Sequence, residues 1–470
     1  MSRGFFFSLF LMFCSAQSLM AQQYRYDFAI KDCKASKAIL GYRQGDLMLR
    51  LDSTTVDTTK GIFSFSGNKS LMAGEYFVYF PSLGTFDFII NNENKFCIKG
   101  RFSAAQDSLY CDDSSENKIY FEYKNFLNTQ NRKIQNIRNM MDILKRATKD
   151  TEVLKEQENA IKLIYDNIAA KAREVVAKNP TLLFSKVLLA TQNVEIPVGM
   201  EPFIDGKPNP VYNQFVKNNY WNGVDFSDER ILNTGAYKAA LNRYFERGVE
   251  PDLDSIKAGI RRVVDKSKQN KAFYQYTIQS LSRKFDNPKM AWMDNMLVYL
   301  FDNYYKSAAS VGADTATFLR MEYKANLYRP NQIGSLAPNL VLFDTLGKAT
   351  QLSNIQSDFL LLYFFSPLCA HCQKATPIFA DLVRKYPSSK LKIISITNDG
   401  EMDYWTGFVK AQKYPFACYH DKLKPSKSEQ LYATFDLPNV YLLDKNKKIL
   451  AKKIPLENIE GLLRNFSDKK

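Results

Sequence analysis

The chain is poor in histidine: two residues, His371 and His420, among 470. A metal site would therefore have to be built mostly from thiols. The one set that could supply four ligands is Cys369, Cys372, Cys418 and His420, but its Cys-x-His spacing is atypical of zinc sites and Cys418 falls in a predicted strand. Metal binding is therefore not expected. Long hydrophobic runs are also missing beyond the N-terminus, which excludes a membrane-spanning helix from the rest of the chain. Neither a recognition motif nor a basic arm accompanies the formal charge of +15. Lysine is spread along the whole length, so the charge reads as a basic surface and nucleic-acid binding is not expected. Attraction to anionic lipid or cell-wall polymers is the milder consequence of that charge.

What is present begins with a leader. Arg3, the apolar run Phe5 to Phe13, and Ala21 before Gln22-Gln23 have the layout of a cleaved export signal over residues 1–21. Phe13 stands before Cys14 where a lipid attachment site wants Gly or Ala, so lipidation is the minor reading. The expectation is an exported, soluble protein, open to association with the envelope, in the periplasm or cell envelope of a Gram-negative bacterium. Of seven cysteines, six then meet an oxidising compartment: Cys33, Cys97, Cys111, Cys369, Cys372 and Cys418. A Cys33–Cys97 bridge, a Cys33–Cys111 bridge and buried free thiols all remain open for the first three.

At this length several domains are expected. Residues 22–110 alternate in short β-like runs, such as Gly61–Ser66, Tyr76–Phe80 and Thr85–Ile90, punctuated by turns at Thr58–Gly61 and Asn91–Asn94. They predict a small antiparallel β-sandwich-like domain. Residues 111–200 turn helical, with one helix from Glu116 to Leu127 and a longer one from Asn131 to Ala177, closed by Asn179-Pro180. Irregular heptads favour packing within the monomer over a dimeric coiled coil. Residues 201–330 form an aromatic-rich helical domain whose rings, at helical spacing, read as core. The central region is thus all-α, and Arg329–Gly334 marks a boundary.

Residues 331–470 alternate β and α elements, organised around Phe359–Phe365 and the motif after it. Those seven positions are apolar or aromatic without a break, as in a strand buried on both faces. After Ser366-Pro367-Leu368 come Cys369-Ala370-His371-Cys372, and then a helical stripe of Ile378, Phe379, Leu382 and Val383. The dithiol sits where a strand becomes a helix. Unpaired amides and the helix dipole favour a thiolate at Cys369, and His371 can add a hydrogen bond or a positive charge. A redox-active pair is the reading of this pattern.

The segment resembles the exported thioredoxin-fold proteins of the TlpA and ResA type, thiol–disulfide oxidoreductases. The resemblance rests on the dithiol after a buried strand, on Pro377 in the following helix, and on Pro438 immediately before a strand. It implies a C-terminal α/β thioredoxin fold. It also implies a cis peptide bond at Pro438 beside the dithiol, with the Leu437 backbone offering hydrogen bonds to a substrate strand. The upstream part is similar to β-rich and helical domains of unknown function that precede such modules. Three positions depart from the pattern: Leu368 where an aromatic is common, Tyr363 where thioredoxins bury an acid, and Ala375 where the TlpA/ResA type often has Glu. In the family both acids help deprotonate the second thiol. Here neither is present, and His371 is left to take a share of that work.

The expected chemistry is disulfide exchange with protein or peptide disulfides and dithiols, Cys369 attacking and Cys372 resolving, coupled to an unidentified redox partner and needing no cofactor. The peroxidase pattern Pro-x-x-x-Thr-x-x-Cys is absent around Cys369. The competing expectation is a non-enzymatic envelope scaffold whose upstream domains bind a partner and whose C-terminal domain is an adaptor.

Overall fold

The structure is a computed structural model that describes residues 23–44, 47–81, 83–147, 151–286, 290–422 and 427–467. The leader at 1–21 and Cys14 lie outside the described residues. The chain divides into two compact units, Met1–Tyr244 and Phe245–Lys470. The division falls within the stretch 201–330, because each unit has its own aromatic helical core: Trp221, Tyr237 and Tyr244 in the first, Phe273, Phe285 and Tyr304 in the second.

The first unit opens with β1 (Tyr24–Lys31), β2 (Lys37–Gln44), β3 (Leu47–Thr55), β4 (Ile62–Gly67), β5 (Gly74–Phe80), β6 (Gly84–Ile90), β7 (Lys95–Arg101) and the short β8 (Tyr110–Cys111), with α1 (Ala105–Ser108) before β8. They form two four-stranded sheets, β4-β1-β7-β8 and β3-β2-β5-β6. Alternation along β1 turns Tyr26 and Phe28 inward, and Phe28 meets Phe88 of the other sheet at 5.6 Å, edge to face. The expectation of purely antiparallel pairing is corrected here: β1 and β7 run parallel, Arg25 beside Lys95 through Lys31 beside Arg101. The connection between them is long, passing through β2 and β3, back through β4 of the first sheet and then through β5 and β6, so it can return β7 in the same direction as β1.

Next come α2 (Ser115–Ala147), α3 (Thr151–Lys178) and α4 (Leu183–Thr191), a two-stranded β9 (Phe203–Ile204) and β10 (Lys207–Pro208), then α5 (Pro210–Asn219) and α6 (Ala236–Arg243). The first helix does not stop near Leu127 as the polar run Asn128–Asn131 suggested. The Thr129 hydroxyl donates to the Asn125 carbonyl at 2.9 Å, Gln130 is buried, and the helix continues. The two long helices pack together, with Arg138 reaching the Tyr165 hydroxyl at 3.1 Å. Buried Glu116 accepts from the amides of Leu183 (3.2 Å) and Phe184 (2.6 Å), so its carboxylate occupies the otherwise bare N-terminus of α4.

The second unit begins with α7 (Leu253–Ser267), α8 (Lys271–Phe285), α9 (Met293–Tyr304) and α10 (Thr315–Tyr328). Asp252, Asn270 and Asp314 cap the first, second and fourth of these with side-chain oxygens. The sheet follows: β11 (Val341–Phe343), β12 (Ala349–Gln351), β13 (Phe359–Phe364), α11 (Ala370–Lys385), β14 (Leu391–Thr397), α12 (Met402–Gln412), β15 (Ala417–His420), α13 (Lys427–Tyr432), β16 (Asn439–Asp444), β17 (Ile449–Lys452) and α14 (Ile459–Ser467). Strand order is β12-β11-β15-β14-β13-β16-β17, with β13 parallel to β14 and antiparallel to β16. Central β13 is buried at every position. Its Phe359, Leu361 and Tyr363 pack with Phe379, Trp405 and Leu463 on one face, and its Leu360, Leu362 and Phe364 with Tyr432 and Tyr441 on the other. This is the two-faced burial its composition required.

A buried ionic cluster ties α9 and the end of α10 to the sheet. Lys452 on β17 reaches Asp294 on α9 at 2.9 Å and the side-chain oxygen of Asn331 at 2.8 Å, while Lys453 reaches the same Asp294 at 2.9 Å. Both ammonium groups lie over the ring of Tyr328. Removing one partner of such a pair strands the other charge away from water. Asp294→Leu should destabilise this unit in urea unfolding by about 3–5 kcal/mol, and adding Lys452→Met should recover most of that loss. Burial lowers the Lys452 ammonium from 10.5 to about 8. The unfolded chain therefore holds the extra proton between those values, and stability should rise with pH across that window and be least below it. Lys452→Met should abolish that slope.

Candidate active site

The site is assembled where β13 ends. Cys369 is the N-cap of α11, with extended backbone dihedrals, and its sulfur accepts the Cys372 N–H at 3.3 Å. A capping sulfur satisfies one of the amides that the first helical turn leaves open. Cys369 is half-buried and its thiol faces the Leu437 carbonyl at 3.7 Å. The Leu437–Pro438 peptide bond is cis. Cys372, one turn on, is fully buried. Both sulfurs are free thiols, as are Cys33, Cys97, Cys111 and Cys418; the bridges considered for the first unit are not formed.

Burial pushes the Cys372 thiol up to about 12, and the neighbouring Cys369 thiol adds to that rise. The Ser366 backbone N–H and the Tyr363 hydroxyl pull in the other direction by favouring the thiolate. Tyr363 gets there by strand geometry: alternation puts residues 361, 363 and 365 on the face that α11 covers. Its hydroxyl donates to the Cys372 carbonyl at 2.8 Å, and the Thr376 hydroxyl donates to the same oxygen at 3.0 Å. Ser366 ties the motif loop down from behind. Its hydroxyl accepts from the Leu368 N–H at 3.1 Å and donates to Asp399 in the loop after β14, and its carbonyl accepts from the Cys369 N–H at 3.2 Å.

The structure thus brings together Cys369, Cys372, Leu437 and Pro438. His371 stands apart: it is exposed, and no hydrogen bond joins its ring to either sulfur among the described residues. Its position is off the buried stripe of Cys372, Ala375, Thr376, Phe379 and Leu382. The alternative zinc set is not assembled. Among the described residues no three His, Cys, Asp or Glu side chains come together as a metal site. His420 Nε2 lies 3.2 Å from the Gly400 carbonyl oxygen, and Cys418 is a buried thiol raised to about 11 by desolvation. Beside Pro438 lies a cavity of about 390 Å³, walled by Tyr328, Phe435, Asp436 and Lys453 among others. Sequence reasoning noted Tyr363 as the place of a missing acid and overlooked its hydroxyl. The signal was available, since Tyr363 shares a strand face with Phe365 and Thr376 follows Cys372 by one turn. Asp399 carried no such signal.

A central sheet flanked by helices, with a dithiol at a strand-to-helix junction facing a cis-proline, is the arrangement of thioredoxin-fold proteins. Residues 333–452 match the AhpC/TSA family. Thiol-disulfide oxidoreductase ResA of Bacillus cereus is 31% identical over 139 residues, which span 29% of this chain and 79% of that protein. The chain belongs to the ResA-type thiol–disulfide oxidoreductases and is an oxidoreductase. Among solved structures, a thioredoxin-like protein from Bacteroides caccae ATCC 43185 is similar over 58% of this chain and 98% of its own, at 22% identity and a TM-score of 0.43. A domain of a possible thiol-disulfide isomerase from Cytophaga hutchinsonii ATCC 33406 is similar over 30% and 96%, at 29% identity and a TM-score of 0.27. No helix among the described residues is long and apolar enough to cross a membrane.

The burial contrast makes a direct prediction. Limited iodoacetamide treatment of the reduced protein at neutral pH should modify Cys369 at least ~10-fold faster than Cys372 or Cys418, since thiolate character and access together set the rate. Peptide mapping by mass spectrometry would read the ratio, and equal labelling of Cys369 and Cys372 would contradict the geometry.

Proposed function

We propose that this protein exchanges disulfides with polypeptides of the bacterial envelope through Cys369 and Cys372. The observation that carries the reading is the unequal placement of the two sulfurs, Cys369 half-exposed at the head of α11 and Cys372 buried one turn behind it. Cys369, as thiolate, attacks a substrate disulfide; its sulfur bonds to one substrate sulfur and the other leaves as a thiolate. Cys372 then attacks Cys369, a Cys369–Cys372 disulfide forms, and the second substrate sulfur leaves. Two electrons pass from the protein dithiol to the substrate, carried by sulfur alone, so the proposal includes no bound cofactor. Run in reverse, the same steps oxidise a dithiol, and the redox partner sets the direction.

Substrate binding is assigned to the Leu437–Pro438 segment, where the backbone faces Cys369 and the neighbouring cavity offers room for a side chain. His371, exposed on the first turn of α11, is assigned to meeting the incoming polypeptide or the attacking thiolate of Cys369 once substrate is bound. The leader at 1–21 is assigned to export toward a Gram-negative periplasm. The two facing sheets of the first unit are read as a sandwich, followed by helical regions over 111–200 and 201–330 and the thioredoxin-like domain over 331–470.

Reduction of insulin disulfides by the reduced full-length protein tests this reading. Wild type should accelerate insulin precipitation over the dithiothreitol background, and Cys369→Ser should reduce the rate to that background. Cys372→Ser should instead accumulate a Cys369–substrate mixed disulfide visible by mass. Wild type behaving like Cys369→Ser would leave the scaffold reading in its place.

A further inference from the structure

Nine of the twelve residues that wall the 390 Å³ cavity beside Pro438 are apolar or aromatic. Half of that wall lies outside residues 333–452, the stretch that matches the family: Leu327 and Tyr328 from the end of α10, and Lys453 to Leu456 after β17. The wall is braced from several sides. Lys453 is paired with Asp294 at 2.9 Å, and its ammonium lies 4.8 Å from the centre of the Tyr328 ring. The Asn331 side-chain amide donates to the carbonyls of Leu327 and Leu431, each at 2.9 Å, which fastens the end of α10 to α13. The Ile454 N–H donates to the Val440 carbonyl at 3.4 Å and closes the end of β17 onto β16.

The cavity begins within one residue of the reacting thiol's contact. Leu437, whose carbonyl oxygen is 3.7 Å from the Cys369 sulfur, is followed directly by Pro438 of the wall. Large apolar side chains stand uncovered on both sides of that contact, Leu368 at 73% exposure and Phe435 of the wall at 56%. A polypeptide lying along Leu437 with its disulfide at Cys369 advances at most about 3.6 Å per residue. A side chain one or two positions from its cysteine therefore comes over the cavity. The charges there favour an apolar occupant: the Lys453 ammonium is engaged by Asp294 and the Tyr328 ring, and Asp436 is exposed, where water screens it. We propose that this cavity is a specificity pocket for an aromatic or large aliphatic side chain flanking the substrate cysteine, and that Leu327 and Tyr328 of the upstream helix help select it. This rests on the exchange reaction proposed above and names its substrate class, polypeptides whose disulfide cysteine has an apolar neighbour. Burial of that side chain stabilises the complex in which Cys369 attacks, and a wall fixed beforehand leaves less to be ordered on binding.

Peptides of sequence Gly-Gly-Cys-Gly-Gly, their cysteine held as a mixed disulfide with thionitrobenzoate, test this against the reduced full-length protein. Phe, Asp or Lys replaces the glycine on one side of the cysteine or the other. Attack by Cys369 forms the Cys369–peptide disulfide and expels thionitrobenzoate, whose absorbance gives the bimolecular rate. The faster of the two Phe peptides should react about tenfold faster than the all-glycine peptide, with no such gain from Asp or Lys. Tyr328→Ala should lower that Phe-to-Gly ratio by about threefold or more. Because Tyr328 also meets the two ammonium groups, the exposed Phe435→Ser serves as a second variant and should lower it as well. A ratio taken within one variant cancels any general loss of folded protein or of thiol reactivity. A wild-type ratio near one, a larger gain from Asp or Lys than from Phe, or a ratio unmoved in both variants would overturn the pocket and leave the exchange reaction standing. Release no faster than from Cys369→Ser with every peptide would overturn the exchange reaction, and the pocket with it.

Discussion

The first turn of α11 leaves amide groups with no acceptor inside the helix, and the sulfur of Cys369 takes one of them. That single contact decides how the two thiols of the motif differ. It holds Cys369 outside the helix in extended backbone and beside the Leu437 carbonyl. It also places Cys372 one turn along, on the stripe that faces the sheet, where it has no access to water. Two chemically identical thiols become different because one caps a helix and the other lies beneath it.

The surroundings serve to keep that junction still. Strand β13 is buried on both faces, so its end cannot slide without breaking two cores. Ser366 fastens the loop between strand and helix, linking Leu368, Cys369 and Asp399 through one side chain and its backbone. Farther out, Asp294 with Lys452 and Lys453 fixes α9 against the end of β17, next to the strand that Pro438 immediately precedes. That cluster also sets Tyr328 over the two ammonium groups and into the wall of the cavity beside Pro438. Residues well upstream of the dithiol thereby shape the surface a substrate would meet.

Much of this unit is legible in the sequence because its elements have one-dimensional signatures. The unbroken apolar run of β13 and the three- and four-residue spacing of α11 leave little choice of structure, and α12 at Met402–Gln412 and β16 at Asn439–Asp444 end where their patterns end. The misreadings share a physical origin. Asn128–Asn131 has the composition of a break, yet α2 runs through it, with the Thr129 hydroxyl bonded back to the Asn125 carbonyl and Gln130 buried. The parallel pairing of β1 with β7 joins neighbours in one sheet that lie far apart in the chain, which no local pattern encodes. At the site, Cys369 and Cys372 follow from spacing alone. The reach of Tyr363 to the Cys372 carbonyl needed the strand face and the helix turn to be combined. The outward position of His371 follows from the same stripe that buries Cys372.

The most direct test of the account is the reduction potential of the Cys369–Cys372 couple, obtained by equilibrating the full-length protein with glutathione buffers and quantifying the bridged and reduced forms by mass. A redox-active dithiol predicts a reversible two-electron transition between about −120 and −270 mV, the range spanned by strong oxidant and reductant members of the fold. Failure to form a Cys369–Cys372 bridge at any poise, or a bridge that stays closed below about −300 mV as structural disulfides do, would contradict it.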